Sequence, residues 1–361
     1  MSIKTSIILI TAREDFAMLG LPATHILGPC ISSLKEQEFK DFELIVVDGL
    51  YKFRPGMFKG NPFNTGKLPF KVKHVPVHPL HSFWFSRGRP FSCAAFNTGL
   101  LHASGELVVK IDDCCEFNKE YLGIIWDFYS QYGYFPLSMH IRYVDGKPVY
   151  FNQEYRDRFR ETDAAKKYVQ DAVFEKYYQL YGEGGLIGDS RLKVVKENGG
   201  RMIAERSWFY GYSSMSLDAA LKVNGMDELM DADFSIMDVD LGNRIAMSEG
   251  DNLFLLDEKL TIIEHSHLQV SPRIFLEPYS LGAIKCNYAI LKLNERKNRF
   301  RANQGLLSND DLEFVKKETL RHPCSWNPHQ YMDDCEGEMF KLWASNQPIF
   351  SLKEERKNVQ R

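Results

Sequence analysis

Residues 96–117 read FNTGLLHASGELVVKIDDCCEF, and this stretch decides the fold. The residues from Arg89 to Ser104 have the spacing of a helix that packs one side against a sheet, and Gly105 ends that helix. Glu106 to Ile111 is then predicted to form a buried strand. Asp112 and Asp113 follow at once. The stretch therefore predicts a helix, a glycine stop and a buried strand that brings two carboxylates to one edge of a sheet.

Two shorter apolar runs near the N-terminus extend this unit. Ser6 to Thr11 reads SIILIT and Glu43 to Val47 reads ELIVV, with a helical pattern from Thr24 to Glu38 between them. This is the pattern of a β-α-β unit with parallel strands buried on both faces. Ligands of such sheets bind at the carboxyl ends of the strands, where Arg13 and Asp48 stand. The sequence predicts an α/β fold with acidic residues at the ligand edge.

The rest of the chain reads as helices with two further strands. Residues 118–200 are interpreted as less regular, with one capped helix from Asp163 to Tyr181. Ser308 with Asp311 has the spacing of a capping box before a helix that ends near Arg321. The remaining predicted elements are a helix at 216–224, a helix at 239–248 and strands at 253–256 and 260–263.

Composition excludes several classes of protein. The 361 residues carry 45 Lys and Arg against 48 Asp and Glu, a net charge of -3, which does not indicate a general nucleic-acid surface. No apolar run approaches the roughly 20 residues of a membrane span, and the N-terminus lacks the pattern of a signal peptide. Seven irregularly spaced cysteines favour reduced thiols. We therefore expect a cytoplasmic protein; peripheral membrane contact and oligomerisation stay open.

In the order of its segments the chain resembles the family 2 glycosyltransferases, inverting enzymes of the GT-A fold. The first segment is TSIILITAR with FKDFELIVVDG, and the second is the quoted stretch, which matches Asn-x-Gly, Ala-x-Gly and a strand ending in Asp-x-Asp. The third is GYSSMSLDAALKVNGMDE followed by MDVDLGNRI. Together these segments span about residues 5 to 267.

The resemblance implies the domain organisation. Residues 1–270 would form a Rossmann-like GT-A nucleotide-sugar-binding domain with a mixed, mostly parallel sheet. Within it, residues 1–115 would bind the nucleotide and residues 116–270 the acceptor. Residues 271–361 match no motif and are predicted to form a helical C-terminal extension.

The resemblance also implies a hexosyltransferase-type reaction with inversion, from a nucleotide-sugar donor, with a UDP-sugar favoured, to an acceptor hydroxyl. Asp238 takes the position of the general base, although an acidic residue at a helix start also stabilises the helix dipole. Asp240 would cap or orient its neighbours. The nucleotide-sugar contacts are predicted at Thr11, Ala12, Arg13, Asp48, Arg87, Asn97, Asp112 and Asp113. The acceptor contacts are predicted at Trp208, Tyr210 and Gly211.

A divalent cation, Mn²⁺ or Mg²⁺, is the cofactor that the resemblance implies, but the metal motif departs from the family pattern. Cys114 stands in the position of the second aspartate, and a hard cation prefers carboxylate oxygen to thiol sulfur. If the segment is extended, Asp112 and Cys114 share the cleft side. The predicted ligands are Asp112, Cys114, His265 and His267, where the resemblance implies that the histidines compensate for the missing aspartate. Compensation by Asp113, weak metal binding and metal-free catalysis are the alternatives.

Two other functions stay open at this point. A catalytically inactive nucleotide-sugar or glycan-binding protein of the same fold is favoured by Cys114. A nucleotidyltransferase shares the fold class, but LITAREDF lacks the glycine-rich basic loop that such enzymes carry after the first strand. A dinucleotide oxidoreductase is disfavoured because no GxGxxG follows the first strand. The acceptor is open among glycans, lipid-linked sugars, proteins and nucleobases.

Overall fold

The computed structural model describes residues 3–11, 24–52, 68–84, 86, 91–144, 146–152, 182, 184–232, 236–265, 287–305, 308–321 and 338–360. Its strands are β1 (Thr5–Thr11), β2 (Phe42–Asp48), β3 (Lys71–Pro76), β4 (Leu107–Asp112), β5 (Cys115–Glu116), β6 (Phe135–Val144), β7 (Lys147–Pro148), β8 (Tyr150–Phe151), β9 (Gly185–Leu186), β10 (Arg201–Ala204), β11 (Ser213–Ser216) and β12 (Phe254–His265). Its helices are α1 (Thr24–Glu36), α2 (Ser92–His102), α3 (Tyr121–Tyr132), α4 (Arg191–Glu197), α5 (Leu217–Lys222), α6 (Met237–Glu249), α7 (Asn287–Lys297), α8 (Asn309–Arg321), α9 (Glu338–Ser345) and α10 (Leu352–Val359).

The main sheet has the strand order β10-β12-β6-β11-β4-β1-β2-β3. Strand β1 is parallel to β2 and β4, β2 is parallel to β3, and β6 is parallel to β12. Strand β11 is antiparallel to β4 and β6, and β10 is antiparallel to β12. In this order only β10 and β11 run against the other strands. The prediction of an α/β fold with a mixed, mostly parallel sheet is confirmed.

Two helical layers cover the sheet, which explains the continuous apolar runs of its central strands. On one face, side chains of α1 and α3, such as Leu34 and Ile125, pack against Leu107 and Val109 of β4. On the other face, buried side chains of α2, α5, α6 and α7 belong to the core cluster that contains Val108. Because successive side chains of a strand point to opposite faces, Lys110 and Asp112 share the face of Val108.

The stretch predicted to be less regular contains regular structure. Helix α3 buries Tyr121, Leu122, Ile125 and Phe128 at helical spacing and ends at Gly133, whose φ of 73° is the left-handed conformation that glycine favours. Strand β6 follows inside the sheet. The predicted helix from Asp163 to Tyr181 lies outside the described residues.

The strands predicted at 253–256 and 260–263 are one strand. β12 runs without interruption, but its register against β6 shifts between Leu256 and Thr261. The irregularity falls on the polar residues 257–259, which explains why the sequence pattern is broken there.

The described C-terminal helices pack on the same core as the sheet. Leu352 of α10 is buried in the cluster that contains Leu100 and Leu101 of α2, and Arg356 Nη1 donates to Leu100 O at 2.9 Å. The predicted capping box at the start of α8 is confirmed, with Ser308 N donating to Asp311 Oδ2 at 3.1 Å and Asp311 N donating to Ser308 Oγ at 3.2 Å. A domain boundary near residue 270 stays a prediction.

Two expectations from composition concern membranes and thiols. Within the part of the chain that the structure describes, no helix combines the length and apolarity of a bilayer span. Cys30, Cys93, Cys114 and Cys115 are buried free thiols.

Candidate active site

The candidate site lies at the carboxyl edge of the sheet. Strands β1, β2, β4, β6 and β12 run in one direction, so their carboxyl ends meet at this edge, and the start of the opposed strand β11 joins them. The polar residues at these ends are Thr11, Asp48, Asp112, Asp113, His140, Arg142, Tyr212, Glu264 and His265. Residues from five strands are therefore assembled along one edge.

The end of β1 is tied to the turn after β4. Thr11 Oγ1 donates to Asp113 Oδ2 at 2.6 Å, and both residues are buried. A short hydrogen bond to a carboxylate is among the stronger neutral-to-charged contacts in proteins. It fixes the Asp113 carboxylate beside the end of β1, where the sequence predicts nucleotide contacts.

Asp48 is held at the end of β2 from two sides. Leu50 N donates to its Oδ1 at 2.9 Å, and its Oδ2 lies 2.9 Å from His74 Nε2. The Tyr51 ring packs edge-on against the His74 ring, with centroids 4.8 Å apart. Of the other predicted nucleotide contacts, Ala12, Arg13 and Arg87 lie outside the described residues.

The segment after Asp112 is a tight turn and not an extended strand, so the condition under which Asp112 and Cys114 would share the cleft side is not met. Cys115 Sγ lies 2.8 Å from Asp112 O, which closes the turn. The Cys114 side chain is buried, with its thiol 3.8 Å from the Tyr212 hydroxyl. The tight turn points the thiol into the interior beside Tyr212.

His265 is bound to the same turn. Its backbone N donates to Cys114 O at 2.8 Å, and its Nε2 lies 2.8 Å from Glu116 Oε2. The imidazole thus pairs with a carboxylate that the sequence reading does not single out, and His267 lies outside the described residues. Among the residues that the structure describes, no group of three or more His, Cys, Asp or Glu side chains is arranged to hold a metal ion.

Asn97 is enclosed, and its side chain links α2 to the loop after α5. Its Nδ2 donates to Met226 O at 3.0 Å and to Glu228 Oε1 at 2.8 Å, and its Oδ1 accepts from Met226 N at 2.8 Å. These contacts occupy both polar atoms of a side chain that no solvent reaches. The structure therefore gives Asn97 a structural role, in place of the nucleotide contact expected from the sequence.

Asp238 enters the site from the first turn of α6. Its side chain is 20% exposed, and Gly211 N donates to its Oδ2 at 3.3 Å. The residue before the helix, Ile236, has a φ of 66°, a strained conformation for a β-branched side chain. Backbone strain of this kind is concentrated at functional sites.

Lys110 joins Asp238 to the sheet, and the sequence reading missed it. Its Nζ lies 3.3 Å from Asp238 Oδ1 and 3.3 Å from Gly211 O, and the side chain is buried. Burial favours a lower pKa for this lysine, but the charges of Asp238 and then Asp112 outweigh it, so the pKa is raised. The available signal is the single charged residue inside the run LVVKI, residues 107–111.

The predicted acceptor residues surround a buried arginine. The Arg191 guanidinium lies 3.7 Å from the centroid of the Tyr210 ring, and it pairs with Asp189 and with the Trp208 carbonyl. One face of the Tyr210 ring is therefore covered by a cation. Of the three predicted acceptor residues, Gly211 is the one that contacts Asp238.

A second polar group at the edge centres on Glu264, and the sequence reading missed most of it. Tyr212 OH donates to Glu264 Oε2 at 3.1 Å, and Arg142 Nε lies 3.6 Å from Glu264 Oε1. His140 Nδ1 lies 3.7 Å from Glu264 Oε2, and burial lowers the pKa of His140. The Arg142 side chain is 37% exposed, so a positive charge is accessible at this edge.

Comparisons with known proteins give distant matches. No family profile matches the chain, and no curated protein is similar to it in sequence. The structure is similar to that of S. aureus TarS residues 1–349, with a TM-score of 0.39, 17% identity and coverage of 88% of this chain and 71% of that chain. The full TarS structure gives the same TM-score of 0.39 and 17% identity, over 89% of this chain and 44% of that chain. TarS 1–349 in complex with UDP-GlcNAc gives a TM-score of 0.35 and 18% identity, over 90% of this chain and 74% of that chain.

Proposed function

We propose that this chain is a glycosyltransferase that moves a hexose from a nucleotide-sugar donor to an acceptor hydroxyl. The observation that carries this proposal is the 3.3 Å contact between Asp238 and Lys110, because it brings a carboxylate from α6 to the strand that ends at Asp112. A base must stand next to the donor sugar, and this contact brings Asp238 to the strand end where the sequence predicts nucleotide-sugar contacts.

The donor would lie along the carboxyl edge, the part of an α/β sheet where nucleotides bind. Asp48 and Asp113 lie at this edge with their carboxylates buried and held by protein hydrogen bonds. Each carboxylate has further oxygen lone pairs, and we propose that these accept from base or ribose donor groups. A UDP-sugar is the donor that we propose. Arg142 supports the leaving diphosphate, since its guanidinium is partly exposed at the same edge.

The transfer follows an in-line displacement. The acceptor oxygen forms a bond to the anomeric carbon while the bond from that carbon to the diphosphate oxygen breaks, and Asp238 takes the acceptor proton. The electron pair of the broken bond leaves with the diphosphate, and attack from the opposite side inverts the anomeric centre.

The described partners of Cys114 and His265 do not form a metal site with Asp112, so no step of this mechanism runs through a metal ion. Mn²⁺ or Mg²⁺ binding at Asp112 stays a prediction from the family resemblance. Residues outside the described segments, His267 among them, would have to complete such a site.

An inactive binding protein of the same fold is the second candidate. It is supported by the buried Cys114 thiol, which stands where the family pattern has a carboxylate. Such a protein would bind the nucleotide sugar and leave it intact.

Release of UDP from UDP-GlcNAc and UDP-glucose, with and without Mn²⁺, tests the proposal. Turnover by the wild-type chain supports a transferase that also uses water as an acceptor. Heat of UDP binding without turnover favours the inactive alternative, and absence of both binding and turnover contradicts each of these functions.

A further inference from the structure

Lys110 is a buried lysine that takes no part in the bond changes or the proton transfer of the proposed reaction. It lies in the middle of the central sheet, and an ammonium there loses most of its hydration. A buried charge is tolerated only when opposite charges and hydrogen bonds compensate for that loss. The groups that compensate for it are the Asp238 carboxylate from α6 and the Gly211 carbonyl, each 3.3 Å from Nζ, together with the charge of Asp112 on its own strand.

The two oxygens of Asp238 have different surroundings. Oδ1 is enclosed and, among the described residues, accepts no hydrogen bond of good geometry, so the ammonium of Lys110 at 3.3 Å is its charge partner. Oδ2 accepts from Gly211 N at 3.3 Å. Because Oδ1 is enclosed, Oδ2 is the oxygen left to take up the acceptor proton.

Lys110 also binds the backbone that places Gly211. Its Nζ donates to Gly211 O at 3.3 Å, so one ammonium contacts both the carboxylate and the carbonyl of the residue whose N–H holds Oδ2. A shift of Lys110 would release both oxygens of Asp238 together. An error of about 1 Å in the position of a catalytic group costs on the order of 100-fold in rate.

We propose that Lys110 is a positioning residue that holds the Asp238 carboxylate with Oδ2 toward the acceptor. This inference rests on the proposed glycosyltransferase function. Lys110 acts through Asp238 and does not contact the substrate, so its contribution to the rate should disappear when Asp238 is no longer a base.

A double-mutant cycle tests this dependence. The variants are Lys110→Met, Lys110→Arg, Asp238→Asn and the double variant Lys110→Met with Asp238→Asn. The measurements are kcat and KM for UDP release from UDP-GlcNAc, the Kd of UDP by calorimetry and the Tm of each variant. Lys222→Met is the control, because Lys222 pairs with Glu249 on the surface at 2.8 Å, away from this edge.

We expect Lys110→Met to lower kcat by roughly 10- to 100-fold with KM and the Kd of UDP nearly unchanged, since the donor contacts stay in place. Lys110→Arg should recover part of the loss. In the Asp238→Asn background the lysine replacement should cost no further activity, because coupled residues are not additive. Lys222→Met should behave like the wild type.

A loss of equal size in both backgrounds, or an unchanged kcat in Lys110→Met, would overturn the inference while leaving the proposed function standing. If Lys110→Met fails to fold, Lys110→Arg and the double variant, which removes both charges, take its place. In that case, activity of Lys110→Arg above that of Asp238→Asn supports positioning by a cation, and a loss equal to that of Asp238→Asn contradicts it. Absence of turnover by the wild-type chain removes the proposed function itself, which is a distinct result.

Discussion

Asp238 and Asp240 stand two residues apart on α6, yet one carboxylate is accessible and the other is sealed in the core. Asp240 is fully buried, with Arg244 Nε donating to its Oδ2 at 2.7 Å and Asn294 Nδ2 donating to its Oδ1 at 2.8 Å. Asp238 is only partly enclosed: its side chain is 20% exposed, and it contacts Gly211 and Lys110 at the sheet edge. The two positions therefore allow function and stability to be separated by equivalent substitutions.

Replacing Asp238 with Asn should abolish most activity. The amide keeps the shape of the side chain but cannot take the acceptor proton, so we expect kcat for UDP-sugar turnover to fall by about 100-fold or more. The Kd of UDP and the Tm should change little. Full activity of the variant would show that another group is the base.

Asp240→Asn should have the opposite effect: it should lower the stability of the protein and not its turnover. It leaves the buried Arg244 guanidinium without its charge partner, and breaking a buried pair typically costs about 3–5 kcal/mol of unfolding free energy. Urea denaturation followed by circular dichroism measures this loss. If Asp240→Asn keeps wild-type stability and loses turnover, the separation between the two aspartates is wrong.

UDP should raise the Tm of the protein. A ligand that binds only the folded state adds about 2.7 kcal/mol to the free energy of unfolding when its free concentration is 100 times its Kd. Asp48→Ala should reduce the rise, because it removes the carboxylate held at the end of β2. A scan with UDP, with UDP and Mn²⁺, and with UDP and EDTA checks both points, and a rise that needs Mn²⁺ would place a metal site with ligands beyond the described residues.

Stability should fall as the pH rises toward 9, because of His81. Burial favours a lower pKa for this imidazole, but the charge and hydrogen bond of Glu228, followed by those of Glu355, outweigh it and raise the pKa to about 9. Below the pKa of 6.5 that the imidazole has in the unfolded chain, this histidine makes its full contribution to stability. That contribution is lost as the pH rises through the pKa of the folded state. The whole contribution of His81 to the free energy of unfolding is roughly 3 kcal/mol.

Chemical denaturation of the wild type and His81→Gln between pH 6 and 10 measures the contribution of His81 to the free energy of unfolding. The glutamine cannot gain a proton, so the difference in unfolding free energy between the two proteins should shrink as the pH rises. A difference that stays constant over the range would show that His81 does not titrate as described.

Gly242→Ala should damage both stability and activity. A methyl group at this position of α6 would overlap the side chain of Phe209, which precedes β11. Overpacking of this kind costs about 1–3 kcal/mol and would displace α6, and Asp238 with it. Gly123→Ala on α3 is the matched control, because its methyl group would meet Phe39 at 3.9 Å, an ordinary contact. Equal behaviour of the two variants in Tm and kcat would refute this prediction.

The central strands could be predicted because their burial is visible in the sequence. β1, β2 and β4 are covered by helices on both faces, so they read as continuous apolar runs that end in polar residues. Strand β6 could not be predicted in this way, because polar residues and a proline interrupt its apolar residues. These are Pro136, Ser138, His140 and Arg142. Its place in the sheet depends on β11 and β12, which are distant in sequence.

The sequence predicts which strand ends meet at the site, but it does not predict the contacts between the side chains of the site. The order of strands brings Asp48, Asp112 and Asp113 together, and that order follows from the β-α-β pattern. The contact between Lys110 and Asp238 joins residues that no local pattern connects. Likewise, the burial of Cys114 follows from the turn closed by Cys115, which periodicity does not report.

The docking of α10 has a consequence during protein synthesis. Leu352 N donates to Asn224 Oδ1, and Arg356 binds the carbonyl of Leu100, 256 positions earlier. A chain still emerging from the ribosome therefore exposes α2 and the loop at Asn224 until residues 352–359 have left the exit tunnel, and contacts of such long separation form slowly. We therefore expect nascent chains of this protein to bind chaperones until residues 352–359 are free to pack.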